Sequence, residues 1–219
     1  MPSFPNSPHL LKAGLVLIDP ASGTVKRVIA LQYNPDSLSR SFQVKGVGAE
    51  SGDRSEALRL KGPPVETFKI EAEIDATDQL ENPGSNPNAV QSGIQPQLAV
   101  LELLLYPTAA QLQSNNSLAR TGTLEILPME TPLTLFVWSR NRVVPVRVTE
   151  FSITEEAFDP SLNPIRAKVS LGMRVLNVDD LGFDHRGGGI YMAYQQQKEQ
   201  LGARSVSATL IELGLGEIP

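Results

Sequence analysis

The pattern that most restricts this chain is a strict two-residue alternation over Val65–Asp75, where Phe68, Ile70, Ala72 and Ile74 share one parity and Lys69, Glu71, Glu73 and Asp75 the other. Only an extended strand puts i, i+2 and i+4 on one face, so the run is a β-strand with one buried side and one wet side. The pattern returns over residues 165–175, where Ala167, Val169, Leu171, Met173 and Val175 face inward and Arg166, Lys168 and Arg174 face out.

Shorter β-branched runs complete a sheet. Residues 15–18 and 25–33 flank Asp19-Pro20-Ala21-Ser22-Gly23, a turn that supplies fixed and positive backbone angles, so they form a hairpin. Asn34-Pro35-Asp36-Ser37 breaks the second strand, and the extended pattern resumes over 38–44. Residues 132–138 and 143–153 make a second hairpin around Ser139-Arg140-Asn141-Arg142. Val144, Val146 and Val148 share a face there while Phe151 and Ile153 take the other parity, which a β-bulge or strand end near Thr149 reconciles. A turn over 159–164 leads into the last strand. The sum is about seven strands with short antiparallel connections, a mainly-β barrel or sandwich.

The intervening segments read differently. Residues 46–62 are Gly-, Ser- and charge-rich and 78–95 carry Pro83, Gly84, Pro87 and Gly93, so both read as long loops. A single inserted helix is expected over 96–106, with Leu98, Leu101 and Leu105 on one stripe and Pro107 ending it. Residues 111–122 read as a polar linker. After Val175 a glycine joint at 187–189, a Gln-rich helix over 191–203 and an apolar tail over 210–219 form a C-terminal extension. The expected organisation is a barrel domain over 1–176 and this extension over 177–219.

Composition removes several function classes. With 219 residues, 41% hydrophobic and 20% charged, the chain is ordinary globular material. Its net charge of −5 provides no basic footprint, so nucleic acid is not an expected partner. The absence of cysteine excludes disulfides, thiolate metal sites and Cys nucleophiles. Residues 1–8 do not form a secretory leader. The longest apolar stretch, 98–105, is broken by Glu102 and falls short of the ~20 residues a membrane span needs. Cytoplasmic synthesis without membrane insertion is the expectation.

No catalytic constellation emerges. The imidazoles, His9 and His185, sit in a Pro-rich terminus and beside a glycine run, where exposed loop residues are the simpler reading. Asp179, Asp180, Asp184 and His185 have hard-metal ligand types without calcium-loop spacing, so a solvated turn explains them. Gly187, Gly188 and Gly189 lack a phosphate-loop context. Glu71, Glu73 and Asp75 mark one outer strand face, and Trp138 reads as an aromatic capping the core before it reads as a sugar platform. No enzyme activity, cofactor or metal is expected.

At Gln32-Tyr33-Asn34-Pro35-Asp36-Ser37-Leu38 the chain resembles the tube-associated proteins of contractile injection systems, the phage-tail-like particles. Those proteins open with a strand, a Tyr-Asn-Pro-acid-Ser step and another strand. Three more features follow in order: residues 68–75 with Thr77-Asp78, the strand over 132–138, and Pro164-Ile165-Arg166-Ala167. The resemblance spans 15–176. It implies a tail-tube-like β-barrel with a flanking helix, assembled as a homo-hexameric ring that adapts a spike hub to an inner tube and contacts baseplate proteins. Relatives often carry a C-terminal LysM module, whose pattern 177–219 lacks, so the extension reads as an arm for a neighbouring baseplate protein.

The expected assembly interface joins the motif residues Tyr33, Asn34 and Pro35 to the charged strand faces. Lys69, Glu71, Glu73 and Asp75 on one edge and Arg166, Lys168 and Arg174 on another would give a self-complementary contact that closes by rotation. A repeating inner-tube subunit and a carbohydrate-binding β-sandwich are the competing readings.

Overall fold

The computed structural model describes residues 11–46, 59–120 and 131–218. Its body is seven strands: β1 (Gly14–Ile18), β2 (Val25–Ala30), β3 (Leu38–Gln43), β4 (Val65–Asp75), β5 (Leu133–Ser139), β6 (Arg142–Phe158) and β7 (Pro164–Val175). They form one antiparallel sheet in the order β2-β1-β5-β6-β7-β4-β3, so the mainly-β expectation holds.

The alternating runs bury the faces their parity assigns. Phe68, Ile70, Ala72 and Ile74 are buried, and across the ladder they meet Met173, Leu171, Val169 and Ala167 on β7. Each large apolar side chain so enclosed stabilises by about 1.5–3 kcal/mol. The parity slip in β6 is a bulge: the register with β7 shifts between Val148 and Glu150, and the Thr149 hydroxyl donates to the Gly172 carbonyl at 3.2 Å.

The sheet is open, and it curls. β2 and β3 end the strand order yet are consecutive in sequence, joined by residues 31–37, and they run in the same direction. The first pairs with β1 and the second with β4, and no ladder joins the two among the described residues. Curling is confirmed inside: Phe136 of β5 and Phe68 of β4 have ring centroids 5.3 Å apart, whereas three ladder steps across a flat sheet would separate them by ~14 Å. The result is a curled open sheet whose two edge strands are joined by a corner over residues 31–37.

Helices fill much of the sequence between and after the strands. α1 (Thr77–Leu80), a 3₁₀ turn (Pro83–Ser85), α2 (Pro87–Ser92), α3 (Gln95–Glu102) and α4 (Ala109–Arg120) precede β5, while α5 (Val178–Leu181) and α6 (Arg186–Gly202) follow β7. The loop expected over 78–95 is therefore largely helical, and the polar linker expected over 111–122 is α4 through Arg120. α4 has no buried residue, so it never acquires the apolar stripe by which helices are read from sequence.

The one helix expected over 96–106 is shorter than its stripe suggested. α3 places Leu98 and Leu101 in the core but stops at Glu102. Leu104 and Leu105 then turn back through bonds to the Leu101 and Glu102 carbonyls, which leaves Leu105 exposed. α3 is moored at its start, where the Ile94 N–H donates to the Pro164 carbonyl at 2.9 Å. Gly93 there has φ +56, and a Cβ on it would lie 2.1 Å from that same carbonyl oxygen. Of the loop expected over 46–62, residues 47–58 lie outside the described ones; its stem is a bridge between Gly46 and Leu60.

The glycine joint expected at 187–189 is instead the first turn of α6. A Cβ on Gly188 would come within 1.9 Å of the Gly182 carbonyl oxygen, so the glycines permit close packing. α6 folds back on the sheet and places Tyr191 and Tyr194 in the main core.

Candidate assembly surfaces

The corner is built from two amides. Gln32 donates from Nε2 to the Asp75 carbonyl at 2.6 Å and accepts the Asp75 N–H at 3.0 Å, so its side chain replaces a ladder rung between the corner and β4. Asn34 does the same for the lead into β1, donating to the Leu11 carbonyl at 2.8 Å and accepting the Ala13 N–H at 2.9 Å. Each bond contributes about 1 kcal/mol, and losing one partner exposes a backbone group to the larger cost of going unpaired. Tyr33 stays exposed between the amides. Pro35 and Tyr33 line a polar groove of about 410 Å³ shared with Asp36, Glu71 and Glu73.

The charged strand faces are not where the interface expectation needs them. β4 and β7 are neighbours, with Asp75 opposite Arg166 and Glu73 opposite Lys168, so opposite signs meet within one chain rather than on separate edges. Arg166 Nε lies 2.7 Å from Asp75 Oδ2, Arg174 pairs with Asp180 at 2.6 Å, Lys168 with Glu156 at 3.4 Å and Lys69 with Glu150 at 3.6 Å. Burial alone would raise the Asp75 carboxyl. Hydrogen bonds from the Thr77 hydroxyl and N–H, together with Arg166, outweigh that and hold it below its ordinary value. Glu71 and Glu73 remain exposed, with no ion pair among the described residues.

A charged cluster that the sequence reading missed fixes α6. Glu66 is 3% exposed. Its Oε1 accepts from Arg40 at 2.7 and 3.1 Å and from the Tyr194 hydroxyl at 3.0 Å, and its Oε2 accepts from Lys198 at 2.9 Å. Arg40 also stacks on Phe42 and Phe68, and Lys198 sits 4.0 Å from the Tyr194 ring centre. Burial, with Glu66 beside it, pushes the Tyr194 hydroxyl up to about 12. One signal was present: Glu66 has the parity of Phe68 and Ile70, hence the buried face.

The other singled-out residues have structural duties. His185 caps α6, its Nδ1 accepting the Gly187 N–H at 3.0 Å. Asp180 closes a capping box with Asn177, and Asp179 pairs with Lys45 at 3.0 Å. Trp138 packs on the core, 6.0 Å from the Phe136 ring centre. His9 lies outside the described residues. Among the described residues no three metal-ligating side chains converge, and no helix is long and apolar enough to cross a membrane.

No family model and no curated protein matches the chain. Among solved structures it is similar to a chain in the tail of an empty gene transfer agent particle determined with C6 symmetry. Identity is 15%, coverage 75% of this chain and 90% of that one, and the TM-score 0.29. It is also similar to a chain in the virion of a native gene transfer agent particle, at 14% identity, 74% and 90% coverage and a TM-score of 0.26.

Proposed function

We propose that the chain is a structural ring subunit of a contractile injection system, adapting the spike hub to the inner tube and initiating tube assembly. One observation carries the reading. The residues Gln32 to Leu38, on which the resemblance rests, are the corner that links the two edge strands of the curled sheet, so the likeness falls on the piece that positions both edges. Under this reading the ring is a homo-hexamer, its partners are hub, inner-tube and baseplate proteins, and it is assembled in the cytoplasm without catalysis. Arg166, Lys168 and Arg174 already have partners in their own chain, so of the expected interface Tyr33, Glu71 and Glu73 remain available to a neighbour.

Electron microscopy of the native particle tests the proposal: one ring of this chain between spike and tube supports it. Copies repeated along the tube would instead make it the tube subunit. Glycan binding by the isolated monomer, abolished by Trp138→Ala, would support the carbohydrate-binding reading, although Trp138 spends part of its ring on Phe136.

A further inference from the structure

Beyond α6 the chain continues as an arm that its own body does not cover. Ile211, Leu213 and Ile218 are 80%, 69% and 73% exposed. They sit on a segment ordered locally by a 3₁₀ turn, Leu210–Leu213, which Thr209 and Glu212 cap reciprocally. Contiguous exposed apolar side chains of this kind mark a contact surface. Over 205–218 the charged residues are Glu212 and Glu217, with no basic residue.

The body carries a surface of opposite character. A groove of about 500 Å³ lies between β5, β6 and the turn after α3, lined by Leu104, Leu105, Leu133, Val148 and Leu176, with Arg147 on its wall. Among the described residues no carboxylate lines it, and Arg147 has no ion pair. An apolar, acidic arm and a groove with apolar floor residues and a cationic wall therefore occur on one chain, and the arm leaves its own groove open.

We infer that the arm of one copy seats in the groove of a second copy, its apolar side chains filling the cavity and its carboxylates facing Arg147. Because arm and groove are different surfaces, the contact is heterologous and runs head to tail, the kind that closes into a ring when its rotation permits. The inference rests on the ring reading for its biological setting but not for its physics, and it gives that ring a contact which the paired strand charges do not.

The chain has no cysteine, so the test is direct. Ile211→Cys protein and Leu105→Cys protein, mixed as full-length chains under mild oxidation, should give a disulfide-linked dimer on a non-reducing gel. A control mixture of Ile211→Cys with Ser85→Cys should give far less. Adding Arg147→Glu to the groove partner should lower the yield about two- to fivefold, the range of a surface ion pair, and Glu217→Arg on the arm partner should restore it. Mixed yields no higher than the control overturn the inference. So does an intrachain disulfide without dimer in the Ile211→Cys/Leu105→Cys double variant, which would place the arm in its own groove. A cross-linked dimer from a chain that microscopy finds as a single copy per particle would sink the ring reading and leave the arm contact standing.

Discussion

The corner and α6 are fastened to the same curled sheet by opposite means. At the corner, Gln32 and Asn34 satisfy four backbone groups with neutral amides. At α6, one buried carboxylate gathers a guanidinium, an ammonium and a phenol. Neutral amides can fail singly, each leaving a backbone donor and acceptor unmet. The ionic cluster is cooperative: Glu66 is tolerable in the interior only while its cations are present, and removing the carboxylate leaves those cations facing each other.

The largest break should come from Glu66→Ala. Urea unfolding is expected to show a loss of about 3 kcal/mol, at the low end for a broken buried pair because Arg40 and Lys198 keep some solvent. A loss below about 1 kcal/mol would show that the cluster is tolerated and not needed. Gln32→Ala comes next, at about 2 kcal/mol for the orphaned N–H and C=O of Asp75. It should be insensitive to pH, and a Gln32→Glu variant should not rescue it, since a carboxylate cannot donate to the Asp75 carbonyl.

A pH titration separates the two fastenings. Tyr194 is pushed from 10.0 up to about 12 in the fold, so folding favours its protonated form. That stability is complete below about pH 10 and is lost as pH rises towards 12. Tyr194→Phe should flatten the alkaline limb of a melting-temperature profile, while Gln32→Ala leaves its shape alone. The smallest effect belongs to the strand faces: Arg166→Gln should cost less than about 1 kcal/mol, because its pair with Asp75 is partly exposed.

How much was legible follows the same physics. Parity gave the strands, the buried faces of β4 and β7 and the bulge at Thr149, because alternation is a local property of the chain. Strand order is not local. Nothing in Glu73 or Lys168 says that β4 lies beside β7, so charges that looked like separate edges proved to be cross-strand partners. The helices α1, α2 and α4 escaped notice because α1 and α4 bury nothing and α2 buries only Ala89. The α6 cluster escaped because Arg40, Tyr194 and Lys198 stand far from Glu66 in sequence. The resemblance rests on the whole run from Gln32 to Leu38, yet only the structure reveals Gln32 and Asn34 as stand-ins for backbone.

The corner also acts as a ruler. Since Gln32 is bonded to Asp75 and Asn34 to Leu11 and Ala13, the spacing between the two amides cannot drift. One residue inserted between Gln32 and Asn34 would pull one amide off its backbone partners, Asp75 on one side or Leu11 and Ala13 on the other. Lineages of this protein should therefore vary in length at the tips of hairpins and stay fixed across these few positions.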